Sequence, residues 1–174
     1  MKVHRILIAL LLSVLVASCG SPTDHEVPKA ICGTKIDPAL TRLLVTSTDD
    51  LYEYNRVDRS TAITAPCVLL SDRDPVLELR FSWDDTATDL MYLATGAGSI
   101  SRVTAPRSIN LGYKTIAGTD GAISIAPCNT NGGKYFTLTL QLPQIRLTDQ
   151  THRKDIEKFM RAYFPATLKT LGCR

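Results

Sequence analysis

The side chains of this sequence that could support catalysis are two histidines and a pair of carboxylates. Serine hydrolysis requires a histidine to accept the hydroxyl proton, and beyond residue 18 only His25 and His152 are present. Asp84 and Asp85 follow the single tryptophan, Trp83, and two carboxylates beside an aromatic ring could cleave a glycosidic bond. We interpret Trp83, Asp84 and Asp85 as a candidate binding surface, with either aspartate able to cap the following helix. No catalytic residue is assigned.

The beginning of the sequence has the pattern of a secretion signal. Lys2 and Arg5 precede an apolar run over residues 6–17. As a helix this run would be about 18 Å long, which is too short to span the membrane's hydrocarbon core of about 30 Å. A charged start, a short apolar run and small residues before a cleavage point define such signals. The segment Val16-Ala17-Ser18-Cys19 resembles the lipobox of bacterial lipoprotein precursors. The resemblance implies cleavage after residue 18 and attachment of a diacylglycerol to Cys19.

A lipid anchor of this kind predicts where the protein works. We expect it at the extracytoplasmic face of the cell membrane, or at the outer membrane if the source is Gram-negative, with the membrane itself as a partner through Cys19. Residues 1–18 form the signal peptide, and residues 19–31, which are mostly polar with two prolines, form a flexible tether. Residues 32–174 form a single globular domain, because single domains usually contain about 100–200 residues.

Four cysteines remain once Cys19 carries lipid: Cys32, Cys67, Cys128 and Cys173. An even number in an oxidising compartment predicts two disulfides, and their wide spacing is unlike that of a zinc site. A strand over 135–142 would move the chain about 26 Å away from Cys128. A helix over 150–171 would return it by about 33 Å. Cys128–Cys173 is therefore the preferred bond, which leaves Cys32–Cys67.

Charge and motif content exclude several classes of function. The chain contains 20 basic and 17 acidic residues, and without Lys2 and Arg5 the net charge is about +1, unlike the clustered basic surfaces of nucleic-acid-binding proteins. We therefore predict no nucleic-acid partner. The sequence has no P-loop, G-x-G-x-x-G, G-x-S-x-G or H-E-x-x-H motif, and we predict no cofactor and no metal.

The body of the chain contains an apparent internal duplication. Residues 52–67 and 113–128 each run from a tyrosine to an Ala-Pro-Cys triplet. A turn follows each triplet, and then a segment in which apolar and polar residues alternate as in a strand with one buried face. The apolar positions are Leu77, Leu79, Phe81 and Trp83 in the first copy and Phe136, Leu138, Leu140 and Leu142 in the second; the polar positions are Glu78, Arg80 and Ser82 in the first and Thr137, Thr139 and Gln141 in the second.

A helix is predicted after each of these strands. The first covers residues 86–94, and the second is capped by Asp149 or Thr151 and is kinked or split at Pro165. The second helix carries an apolar stripe, formed by Ile156, Phe159, Met160, Tyr163, Leu168 and Leu171. A short helix from Asp37-Pro38 to Leu44 precedes both copies. The sequence thus predicts an α+β fold, an antiparallel sheet with helices on one face, built from two βββα repeats and two disulfides.

Function follows less directly from these patterns. The body resembles uncharacterised four-cysteine lipoproteins of high-GC Gram-positive bacteria, in its Cys-Gly-Thr, Pro-Cys and final Gly-Cys segments, and this resemblance implies no activity. We expect a membrane-anchored, non-catalytic binding module of the cell envelope, whose partner is an envelope protein or a cell-wall component. The alternatives are a carrier of a lipid or small apolar ligand, with a cavity between helices and sheet, and a glycan hydrolase that uses Asp84 or Asp85.

Overall fold

The computed structural model describes residues 27–47, 49–55, 64–145 and 152–173. These residues form nine strands and three helices. In chain order they are β1 (Ala30–Ile31), β2 (Thr34–Lys35), α1 (Pro38–Arg42), β3 (Leu51–Asn55), β4 (Thr64–Ser71), β5 (Asp74–Asp84), α2 (Leu90–Thr95), β6 (Arg107–Asn110), β7 (Lys114–Ala117), β8 (Gly121–Thr130), β9 (Gly133–Gln141) and α3 (His152–Thr170).

The centre of the fold is a seven-stranded antiparallel sheet with the strand order β3-β4-β5-β9-β8-β7-β6. β1 and β2 form a separate two-stranded hairpin. The predicted α+β class and antiparallel sheet are confirmed, and so are the two disulfides, Cys32–Cys67 and Cys128–Cys173.

The two halves of the sheet repeat one another in strand order. β3-β4-β5 is followed by α2, and β7-β8-β9 is followed by α3, while β6 is an additional edge strand. The halves meet where β5 pairs with β9. In each half the last two strands are joined by a two-residue turn, Asp72-Arg73 or Asn131-Gly132. This arrangement matches the duplication seen in the sequence.

The main hydrophobic core lies between α3 and one face of the sheet. The alternation predicted for β5 and β9 places Phe81 and Phe136 on this face, and both are fully buried. Their rings lie 5.9 Å apart, and Phe164 of α3 stacks on Phe136, also at 5.9 Å. Aromatic rings therefore fill the layer in which the carrier hypothesis expected a cavity.

α2 packs on the opposite face of the sheet. The prediction that the helices lie on one face of the sheet holds for α1 and α3, which share the main core, but not for α2. On the other face Leu90 and Ala94 of α2 form a second cluster with Ile123 and Ile125 of β8. Because neighbouring residues of a strand point to opposite faces, β8 contributes to both cores, and its burial is nearly continuous.

The beginning of α2 differs from the prediction. Asp89 is the N-cap, and its carboxylate accepts hydrogen bonds from the backbone N–H groups of Met91 and Tyr92. Asp84 and Asp85 do not cap this helix, because β5 continues to Asp84 and pairs there with β9. The helix consequently begins at residue 90 instead of 86.

α3 is the longest helix and runs without interruption from His152 to Thr170. The expected split at Pro165 was wrong, since helical structure continues through this residue. The predicted apolar stripe is confirmed, with Ile156, Phe159 and Met160 fully buried. The proposed caps Asp149 and Thr151 lie outside the described residues.

The folded domain begins earlier than predicted. Residues 27–31 were assigned to a flexible tether, but Val27 and Ile31 are buried. Ile31 belongs to β1, and its carbonyl accepts a hydrogen bond from the Tyr163 hydroxyl on α3 at 2.8 Å. Residues 27–31 therefore belong to the domain, because this segment supplies a strand and core side chains to it.

Candidate functional site

The four predicted disulfide cysteines form two cross-links between distant parts of the chain. Cys32, after β1, is bonded to Cys67 of β4, and Cys128 of β8 is bonded to Cys173, after α3. Cys32, Cys67 and Cys128 are fully buried. One cross-link fixes the N-terminal hairpin to the sheet, and the other fixes the end of α3. The predicted lipid site, Cys19, lies outside the described residues, as does His25.

Glu53 lies beside the first disulfide in an arrangement that superficially suggests a metal site. Its carboxylate accepts a hydrogen bond from the backbone N–H of Cys32. The carboxylate and the sulfur atoms of Cys32 and Cys67 all lie within 4.8 Å of one another. However, the sulfur atoms are bonded to each other, and thiolates are required to ligate a metal. We therefore interpret this cluster as a structural cross-link.

The predicted surface of Trp83, Asp84 and Asp85 is divided by the structure. Trp83 is only 2% exposed, and its ring packs 5.3 Å from that of Phe136 in the main core. The expectation that Trp83 offers a binding surface was wrong, because odd-numbered residues of β5 point toward α3. Asp84 and Asp85 are exposed, and Asp84 borders a groove on the opposite face of the sheet.

This polar groove has its floor on the central strands of the sheet. Arg80 and Ser82 of β5 lie beside Thr139 and Thr137 of β9, their direct partners in register. Directly opposed residues of antiparallel strands point to the same face. The four side chains therefore form a polar patch on the face that also carries α2. Thr64 of β4, the other partner of Ser82, extends the floor.

One wall of the polar groove is α2 together with the loop over residues 96–101. The groove is partly open to solvent and has a volume of about 560 Å³, within the range of small-molecule sites, which is about 300–1,000 Å³. The Ser99 hydroxyl donates a hydrogen bond to the carbonyl of Leu93 at 2.6 Å, and the Thr139 hydroxyl donates to Ser101 Oγ at 3.1 Å. The backbone N–H of Val103 donates to the carbonyl of Ala94. These bonds attach the loop to both helix and sheet, so the wall is preformed.

The floor contains two polar atoms whose hydrogen-bonding capacity is unused among the described residues. They are Nε of Arg80 and Oγ1 of Thr137, both shielded from solvent. Buried polar groups are usually hydrogen-bonded, and each exception requires an explanation. A guanidinium and a hydroxyl that share one groove could both be satisfied by an oxygen-rich ligand. This arrangement can bind and orient a ligand.

A second cavity, of about 680 Å³, lies on the same face between α2 and the β6–β7 hairpin. Its walls include the apolar side chains of Leu90, Met91, Ile116 and Ile125, together with the charged residue Lys114. Its lining is more apolar than the floor of the polar groove, and it therefore suits a different kind of ligand.

Sequence reasoning did not identify the polar groove, although it named most of its floor. Arg80, Ser82, Thr137 and Thr139 were placed on the solvent-facing side of two predicted strands. The pairing of β5 with β9, which brings the four together, depends on the tertiary structure. The two threonines also differ from the prediction, because both are buried.

Comparisons with known proteins add no family to this description. The chain matches no family model, and searches of curated proteins and of solved structures reveal no similar protein. Within the described part of the chain, every helix is too short or too polar to cross a membrane.

Proposed function

We propose that this protein is a lipid-anchored binding module of the cell envelope that holds its partner in the polar groove. The observation that carries the proposal is the preformed groove, whose floor combines Arg80 and Thr137 with unused hydrogen-bonding capacity among the described residues. Such groups favour a ligand that supplies the missing partners. The lipobox-like segment ending at Cys19 supports the anchor.

The two disulfides support an extracytoplasmic location. Structural disulfides persist in oxidising compartments and are rare in the cytosol. Both bonds connect segments that are far apart in sequence, with separations of 35 and 45 residues. Three of the four cysteines are fully buried, which fits cross-links that are structural.

The position at which the N-terminal segment enters the domain also supports the proposal. The β1–β2 hairpin packs on the α3 side of the sheet, where the hydroxyls of Thr34 and Thr167 lie 3.2 Å apart. The polar groove lies on the other face of the sheet. The eight residues 19–26 could span at most about 29 Å when fully extended. A tether entering from the α3 side would attach the domain by the face opposite the polar groove.

The anchor is tested by comparing the natural chain with Cys19→Ala during expression in a bacterium that processes lipoproteins. We expect the natural chain in the membrane fraction, with an intact mass that corresponds to residues 19–174, two disulfides and attached acyl chains. The variant should be released or retained with its signal. A natural chain that begins at another residue, or that carries no lipid, contradicts the anchor.

The binding role is tested by co-sedimentation of the full chain, purified in detergent, with insoluble cell-wall material. Ser82→Trp places a large side chain on the groove floor, and Ser108→Trp on β6, outside the polar groove, is the matched control. We expect the first substitution to abolish sedimentation and the second to leave it within twofold. Equal sedimentation of both variants would show that the polar groove is not the binding surface.

The second cavity favours one alternative, a carrier of a small apolar ligand. Leu90, Met91, Ile116 and Ile125 would supply the contacts for such a ligand. Extraction of the purified protein with organic solvent, followed by mass spectrometry, should then recover a bound compound in stoichiometric amount. Recovery of none would remove this alternative.

A further inference from the structure

We propose that the polar groove recognises an acidic sugar, with Arg80 bound to the carboxylate, Thr137 bound to a ligand oxygen and Tyr92 covering the sugar ring. This inference rests on the proposed binding role of the polar groove and specifies its ligand. It comes from three features of the groove: a cation without an ion pair among the described residues, a buried hydroxyl without a hydrogen-bond partner among them, and an exposed aromatic ring at the rim.

Arg80 lies at the centre of the sheet, between Pro66 of β4 and Thr139 of β9. Two carboxylates share its face of β5: Glu78, two residues away, and Asp84, about 13 Å away along the strand. Among the described residues Arg80 has no ion pair, and its Nε has no hydrogen-bond partner. A planar guanidinium donates paired hydrogen bonds that match a carboxylate. The floor of the polar groove therefore favours a ligand with an anionic, planar oxygen pair.

The hydroxyl of Thr137 supplies the second recognition element. Thr137 lines the polar groove, is 3% exposed and has no hydrogen-bond partner for Oγ1 within the described structure. Its neighbour Thr139 differs, because its hydroxyl already donates to Ser101. Thr137 and Ser82 are partners in register on adjacent strands. Hydroxyls donate and accept hydrogen bonds, as do the hydroxyls of a sugar.

Tyr92 supplies an apolar surface at the rim of the polar groove. Its side chain is 70% exposed, although it belongs to a helix that packs on the sheet. Gly96 lies directly beside it, and a Cβ at Gly96 would be 2.6 Å from the Tyr92 carbonyl oxygen and 3.7 Å from its Cζ. A side chain at residue 96 would therefore crowd Tyr92. An aromatic ring is both apolar and polar-tipped, and it can cover the C–H face of a pyranose. Inorganic phosphate has no such face.

The test is titration calorimetry on the full chain in detergent, with trigalacturonic acid as the probe. We expect saturable binding that weakens at least tenfold when the carboxylates are methyl-esterified. Arg80→Gln should weaken binding of the acid at least tenfold and Tyr92→Ala at least threefold. Arg107→Gln, which removes a cation from β6 outside the polar groove, should change affinity less than twofold. Unchanged Trp83 fluorescence will verify that each variant is folded.

Several results would overturn the inference. These are the absence of saturable binding, equal affinity for the acid and its methyl ester, and unchanged affinity in Arg80→Gln. Inorganic phosphate that competes as strongly as the saccharide would indicate an oxyanion site without sugar recognition. Wall sedimentation that is lost in Ser82→Trp but retained in Arg80→Gln would preserve the binding role and reject the acidic sugar. Loss of sedimentation in neither variant would reject both.

Discussion

Removal of either disulfide is expected to destabilise the domain by about 4 kcal/mol. The bonds close loops with sequence separations of 35 and 45 residues, and in the chain-entropy model each closure removes about 13 cal/mol/K from the unfolded state. The expected losses of unfolding free energy are therefore almost equal for Cys32→Ala/Cys67→Ala and Cys128→Ala/Cys173→Ala. Alanine is the suitable replacement because it adds no polar group to positions that are mostly buried.

The assay is equilibrium unfolding in guanidinium chloride, monitored by fluorescence. The chain has one tryptophan, and Trp83 is buried in the main core. Its emission should shift to longer wavelength as the ring becomes exposed to water. The natural chain and the two paired variants are compared under identical conditions. Ile100→Ala, at a side chain that is 63% exposed, is the surface control and should change stability by no more than about 0.5 kcal/mol.

Loss of both bonds should remove about 8 kcal/mol, which is comparable with the whole stability of many domains, about 5–15 kcal/mol. We therefore expect the reduced chain to be largely unfolded. A loss below about 1 kcal/mol for either paired variant would refute the reasoning. It would mean that the unfolded state is already compact or that packing alone closes these loops.

Three further predictions concern the sheet and its core. Gly133→Ala should lower the unfolding free energy by at least about 2 kcal/mol, because a Cβ there would lie 2.7 Å from backbone atoms of Asp84 and φ is +154°. The control Gly98→Ala, at φ +77° with open space around it, should lower the unfolding free energy by only about 1 kcal/mol. Equal losses for the two variants in chemical denaturation would contradict the role of the close approach between Gly133 and Asp84. Phe136→Ala should cost about 3–5 kcal/mol and Phe136→Leu much less, as measured by thermal and chemical unfolding, because the ring packs among three aromatic neighbours. Native Trp83 should resist quenching by acrylamide, whereas easy quenching would show that its ring does not lie in the core.

The strands and the long helix could be predicted because their patterns depend on local geometry. Alternation in β5 and β9 follows from the two-residue period of a strand, and Phe81 and Phe136 are buried as that period requires. The apolar stripe of α3 follows from the helical period in the same way. The disulfide pairing was also accessible, since strand and helix lengths limit where Cys173 can return.

The position of α2 could not be predicted from those patterns. Its apolar residues, among them Leu90, indicate that one side of the helix is buried, but they do not indicate which face of the sheet covers it. That choice depends on space: α3 already occupies the face that carries Phe81 and Phe136. The second cluster around Ile123 therefore forms on the other face. The predicted split at Pro165 was also wrong, because helical structure continues through this residue.

The number of cross-links follows from the count of cysteines, whereas the alternating faces of the strands and the lipobox-like segment that predicts an anchor are patterns within a few residues of chain. Contacts between distant segments place β5 beside β9 and α2 on the face opposite α3, and no local pattern encodes either. The polar groove depends on both. Arg80 and Thr137 are 57 residues apart in the chain, and only the pairing of their strands places them on one floor.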